Sequence, residues 1–119
     1  MNQEAGQTKI LIVEPDEYYH QQFRDHVADA AQLIFSKGLT NAFRMIEQQQ
    51  FNLIVTELLF PDGHAYDLLS RIQDVPVIIY TKIGHMEDIE QSLNLGVSGY
   101  FVKGQDSIND VKQLILSLA

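Results

Sequence analysis

Three ionisable residues stand where strand-like runs stop. Asn52–Thr56 is short, apolar and β-branched, and it runs into Glu57; Lys9–Glu14 ends in Glu14; Gly99–Lys103 ends in Lys103. If the three runs lie side by side in a sheet, two carboxylates and one ammonium meet at its edge. A Glu57–Lys103 salt bridge is one use of such a set, because a buried acid needs a partner. Asp16 follows Glu14 by two residues. Those two acids, with Glu57, are the only candidate ligands for a cation, and each has a plainer role. Asp16 suits a helix N-cap, and Glu14 suits a hydrogen-bonded acid at a sheet end.

These residues are positioned by an alternating pattern. Lys9–Glu14, Leu33–Phe35, Leu53–Thr56, Val77–Tyr80 and Gly99–Lys103 read as five strands. Their unbroken apolar centres imply burial on both faces, as in a parallel sheet. Between them lie amphipathic stretches. Tyr19, Phe23, Val27 and Ala30 form the first stripe. Thr40 can cap the second helix, which carries Ala42, Phe43 and Ile46. Tyr66, Leu68, Leu69 and Ile72 mark the third, ending near Asp74 and Pro76. Met86, Ile89, Leu93 and Leu95 mark the fourth, with Met86 and the leucines expected in the core and Gly96 expected in a left-handed C-terminal position. Ser107 and Asp110 form a capping box ahead of Ile108, Val111, Leu114, Ile115 and Leu118. Pro61-Asp62-Gly63 is a turn. Strands alternating with helices predict an α/β, doubly wound, five-stranded parallel sheet with right-handed crossovers. Its chemistry belongs at the carboxyl ends of the strands, which supply Glu14, Glu57, Thr81 and Lys103.

Length and composition set bounds on function. A chain of 119 residues suits one domain, residues 1–119 with a core from about 9 to 118, after a polar start over Met1–Thr8. A formal net charge of −8 repels phosphate backbones and argues against direct nucleic-acid binding. No apolar run is long enough to span a bilayer, and no basic-then-apolar leader follows Met1. The expected setting is cytoplasmic. With no cysteine there is no disulfide framework and no thiolate metal site. His20, His26, His64 and His85 are isolated by spacing. A flavodoxin-like cofactor carrier would need a phosphate-cradling loop after the first strand, where Glu14-Pro15-Asp16-Glu17 offers repulsion instead.

Four motifs in order resemble the receiver domain of bacterial-type two-component response regulators, over about Lys9 to Leu118. They are Ile10–Glu14, Leu53–Gly63, Pro76–Thr81 and Gly96–Lys103. The resemblance implies the flavodoxin-like strand order 2-1-3-4-5. It implies Thr81 and Tyr100 as a switch pair, Lys103 as the family's lysine, and Glu57 at the phosphoacceptor position. The departures bear on chemistry. The family phosphorylates an Asp at the end of the third strand, and this sequence has Glu57 there. The family holds Mg²⁺ with two adjacent acids after the first strand, and this sequence has Glu14 and Pro15. Gly104 follows Lys103 where the family usually has proline.

One extra methylene moves the Glu57 oxygen by roughly an ångström, and a misplacement of that size can cost about a hundredfold in rate. Pro15 removes a ligand from an ion that demands octahedral oxygen geometry. Ordinary phosphorylation and a Mg²⁺ cofactor are therefore not expected. Glu57 is then either a built-in mimic, pushing a permanent charge toward Thr81 and Lys103, or half of a salt bridge with Lys103. The resulting expectation is a pseudo-receiver, not an enzyme, that signals by docking to a protein. Its surface would be the face of the fourth helix, fifth strand and fifth helix, around Glu87, Glu90, Gln91, Tyr100, Asp106 and Asn109. Candidate partners are a second copy in a homodimer, an output domain on another chain, or a kinase. The alternative is a working phosphoacceptor that uses Glu57 or a neighbouring acid with Mg²⁺.

Overall fold

The computed structural model describes residues 7–118; the expected polar start over Met1–Thr8 therefore falls mostly outside the described residues. In chain order the first elements are β1 (Lys9–Val13), α1 (Glu17–His26), β2 (Gln32–Ser36), α2 (Leu39–Gln48) and β3 (Leu53–Thr56). A two-residue hairpin, β4 (Leu59–Phe60) with β5 (Gly63–His64), leads into α3 (Ala65–Leu69). Then follow β6 (Val77–Thr81), α4 (Met86–Asn94), β7 (Gly99–Val102) and α5 (Ile108–Leu118).

The five long strands form one parallel sheet in the order β2-β1-β3-β6-β7. Counted without the hairpin this is the expected 2-1-3-4-5. Every residue of β3 and β6 is buried, which explains why both read as unbroken apolar runs. Alternate residues feed two core layers. Leu11, Val13, Ile54 and Ile79 pack with Leu39 and Ala42 of α2 and with Ala65 and Leu68 of α3. Ile10, Ile12, Val55 and Ile78 pack with Phe23 of α1 and with Val111 and Ile115 of α5. Each fully buried Leu, Ile or Phe contributes about 1.5–3 kcal/mol, so the layers fix the sheet and hence the loops above it.

Local signals set most helix ends. The Asp16 side chain accepts from the Tyr18 amide at 2.9 Å, as expected of an N-cap. Ser107 and Asp110 cap α5 reciprocally, at 3.0 and 3.2 Å. Gly96 closes α4 at φ 97°, while the Val97 amide donates back to the Ser92 carbonyl.

Other expectations need correction. Thr40 is not the cap of α2. The helix begins at Leu39, and its free amides are met by a carboxylate from a distant turn. Asp62 accepts from the Leu39 amide at 3.2 Å, the Thr40 amide at 3.0 Å and the Thr40 hydroxyl at 3.1 Å. The Thr40 and then the Leu39 amide hold the Asp62 carboxyl below its ordinary value. The first helix ends at His26, so its stripe stops at Val27, and Ala31 is buried in place of Ala30. The third helix stops at Leu69 and does not reach Ile72. Ser70 bonds back to the Asp67 carbonyl at 2.7 Å, and Asp74 turns the chain at φ 64° before Pro76. Ile72 still packs on the core from that turn. Met86, Leu93 and Leu95 are not core residues; all three are exposed.

Candidate functional site

The carboxyl ends of β1, β3 and β7 do bring Glu14, Glu57 and Lys103 together. Glu14 continues β1, with its amide on the Ser36 carbonyl. Glu57 continues β3, with its amide on the Val13 carbonyl. Lys103 lies two strands away from β3, and its long side chain crosses the end of β6 to reach both acids. Its Nζ donates to Glu14 Oε1 at 2.6 Å and to Glu57 Oε1 at 3.0 Å. The Lys103 side chain is only 3% exposed, with Glu14 at 4% and Glu57 at 13%. The expected Glu57–Lys103 pair is therefore part of a triad. The ammonium also lies over the Tyr19 ring, 4.0 Å from its centroid, and 5.6 Å from that of Tyr80. Two acids and two ring faces thus replace its water.

The remaining carboxylate oxygens are also occupied. Glu57 Oε2 accepts from the Leu58 amide and, more weakly, from that of Leu59. Glu14 Oε2 accepts from the Asp16 amide at 3.0 Å. Two acids against one ammonium leave one negative charge in a buried place. Burial is the main reason the Glu14 carboxyl is raised above its ordinary value. Lys103 pulls it back, and the Glu57 charge pushes it up further.

Asp16 stays outside this triad, exposed, with its carboxylate on the α1 amide. Among the described residues no group of three or more His, Cys, Asp or Glu side chains is arranged to hold a metal ion. Thr81 is buried, and its hydroxyl accepts from the Ile83 amide at 3.3 Å. No hydrogen bond among the described residues joins Glu57 to Thr81. The longer acid turns to its own backbone and to Lys103. Tyr100 is half-buried, and its hydroxyl donates to the Ile83 carbonyl at 2.6 Å. Burial is the main reason that hydroxyl is pushed up to about 12. Ile83 therefore links the supposed switch pair, accepting from Tyr100 and donating to Thr81.

Two residues that the sequence reading placed elsewhere, His20 among isolated histidines and Asp106 on the docking face, support the site. His20 is buried, packs on Phe35 and sits 2.6 Å through Nε2 from the Glu14 carbonyl. A carbonyl only accepts, so Nε2 carries a proton. The visible signal was its place one turn before Phe23 and Arg24, beside the apolar stripe. Asp106 accepts from the Val102 amide at 2.8 Å and returns its own amide to the Val102 carbonyl. It closes the turn in which Gly104 takes φ 88°.

With this geometry in hand, comparison with known proteins is specific. Residues 10–115 match the response regulator receiver domain. The chain is similar to the transcriptional regulatory protein DpiA of Escherichia coli (strain K12), at 28% identity over 101 residues, covering 79% of this chain and 45% of that protein. It thus spans about half the length of the curated relatives it matches. Its backbone is similar to a two-component response regulator from Clostridium difficile, with TM-score 0.86 and 22% identity over 94% of this chain and 95% of that one. It is also similar to the non-phosphorylated HemR receiver domain from Leptospira biflexa, with TM-score 0.82 and 21% identity over 95% of each. These structural likenesses show the fold, and the match over residues 10–115 shows the family: the chain belongs to the response regulator receiver domains.

Proposed function

We propose that this receiver domain works in two-component signal transduction as a pseudo-receiver, by docking to another protein without a phosphoryl group at position 57. The observation that carries the reading is the occupancy of Glu57. One oxygen accepts from Lys103 and the other from the backbone amides of Leu58 and Leu59, which pins the carboxylate in a fixed orientation and weakens it as a nucleophile. The donor set does not fit Mg²⁺. Glu14 and Glu57 share the Lys103 ammonium, Asp16 caps α1, and Pro15 has no side-chain oxygen. Lys103 supplies the positive charge that a divalent ion would otherwise bring. The domain is then a cytoplasmic signalling module and not an enzyme. Its formal charge of −8 turns it away from nucleic acid and toward a protein, through the face of α4, β7 and α5.

The test is incubation with acetyl phosphate and Mg²⁺, followed by intact-mass measurement. The expected mass is unchanged at every time point. A phosphoryl increment on Glu57 or a neighbouring acid would replace this reading with that of a working phosphoacceptor.

A further inference from the structure

The fourth helix is built the wrong way round for a helix that only packs on its own sheet. Its one fully buried residue is small and polar: Ser92 is 0% exposed, with its hydroxyl 3.3 Å from that of Tyr66. The Tyr66 hydroxyl also donates to the Asp88 carbonyl at 3.5 Å. The large apolar side chains face outward instead. Met86 is 64% exposed and Leu93 50% exposed; Leu95, just past the helix, is 51% exposed. Met86 and Leu93 are seven residues apart, on one side of the helix, with half-buried Ile89 between them. Glu87 and Glu90 border that stripe and are exposed. An apolar strip with a charged margin, left open to water, is the usual form of a docking surface.

The charge on this face selects the occupant. From Ile83 to Val102 the chain carries Glu87, Asp88 and Glu90 and not one Lys or Arg; of the flanking lysines, Lys103 is buried in the triad and the exposed Lys82 lies four residues before α4. On α5 the flanking charges include Asp110, and Lys112 is turned to Asp29 at 3.2 Å. A second copy brought face to face would set these acids against their own kind, a cost that no cation on α4 offsets. A segment with apolar residues on one side and Lys or Arg on its borders would cover the strip and neutralise its margin.

We infer that the Met86–Leu93 strip of α4, with Glu87 and Glu90, is a docking site for a basic amphipathic helix of a different protein, in preference to a second copy of this chain. This deepens the proposed docking function and rests on it.

The probe is a synthetic helix of about 18 residues with Leu on one face and Lys on the rest. It is titrated into the isotope-labelled domain without Mg²⁺ or phosphodonor. Two controls have Glu in place of Lys, or the same Leu and Lys in scrambled order. The expected result is saturable binding with Kd on the order of 10 µM, weakening with salt. NMR shifts should centre on Met86, Glu87, Glu90 and Leu93. Glu87→Lys with Glu90→Lys should weaken binding by about tenfold or more, and Met86→Ser with Leu93→Ser should abolish saturation. All four residues are on the surface, so the rest of the spectrum should stay in place. The inference is overturned if the acidic or scrambled helix binds equally well, if the shifts map elsewhere, or if the domain sediments as a dimer that already covers Met86 and Leu93. Absence of binding with no phosphoryl adduct sinks this surface alone. An adduct in the acetyl phosphate experiment sinks the phosphorylation-independent reading whatever the probe does.

Discussion

Lys103→Met should cost about 3–5 kcal/mol of folding stability at about pH 8, as expected when one partner of a buried ion pair is removed and the other charges stay behind. Methionine keeps most of the lysine stem, so the loss reports the ammonium more than the packing. What is left is two carboxylates in a place that water scarcely reaches. The pH dependence gives the sign. Burial already raises the Glu14 carboxyl above its ordinary 4.5. For a group raised on folding, the stabilising contribution is complete below the unfolded value and is lost as pH rises through the folded one. Without Lys103 the folded value moves up again. The deficit of the variant should therefore be largest at alkaline pH and should shrink toward about pH 5, as Glu14 takes up a proton. Urea unfolding of both proteins across that range measures it. A pH-independent loss, or one below about 1 kcal/mol, would mean that the ammonium behaves as an exposed charge.

The double variant Pro15→Asp with Glu57→Asp should show the opposite kind of gain, phosphoryl transfer where the proposed reading expects none from the parent. Shortening Glu57 by a methylene withdraws its oxygen from Lys103 and from its own backbone amides. Asp at position 15 sets a second acid next to Glu14, the adjacent pair that the family uses for Mg²⁺. Positioning of this kind is worth about a hundredfold per ångström, so restoration should turn an undetectable adduct into one seen by intact mass with acetyl phosphate, and only with Mg²⁺ present. Either single variant should do much less, because each leaves one of the two losses in place. If the double variant folds and stays inert with Mg²⁺, those two substitutions do not account for what was lost. The turn held by Asp106, with Gly104 at φ 88°, is then the remaining difference to change.

The sheet and its ion triad were legible in the sequence for one physical reason. Strands buried on both faces must be apolar throughout, so a charged residue that ends such a run marks the sheet edge. Glu14, Glu57 and Lys103 were found this way; the caps at Asp16 and Ser107 were legible because they act within a few residues of themselves. The Asp62 cap was not legible, because it reaches Leu39 and Thr40 of α2 from 23 and 22 residues further along the chain. The orientation of α4 was not legible either. Spacing shows that Met86 and Leu93 share a side of the helix, and it is silent on whether that side meets the core. The small residue that does meet it, Ser92, carries no hydrophobic signal. His20 was missed because its partner is a backbone carbonyl, and side-chain spacing does not record carbonyls.

The central claim is that the Lys103 ammonium sits between Glu14 and Glu57 and leaves no place for a divalent ion. A Mg²⁺ titration into the millimolar range, followed by NMR of the Lys103 ammonium and the Glu14 and Glu57 carboxylates, reads that arrangement directly. The expected spectrum keeps all three signals in place, with the ammonium protons still slow to exchange. Saturable movement of the Glu14 and Glu57 carboxylates, with release of the Lys103 ammonium to solvent, would contradict it.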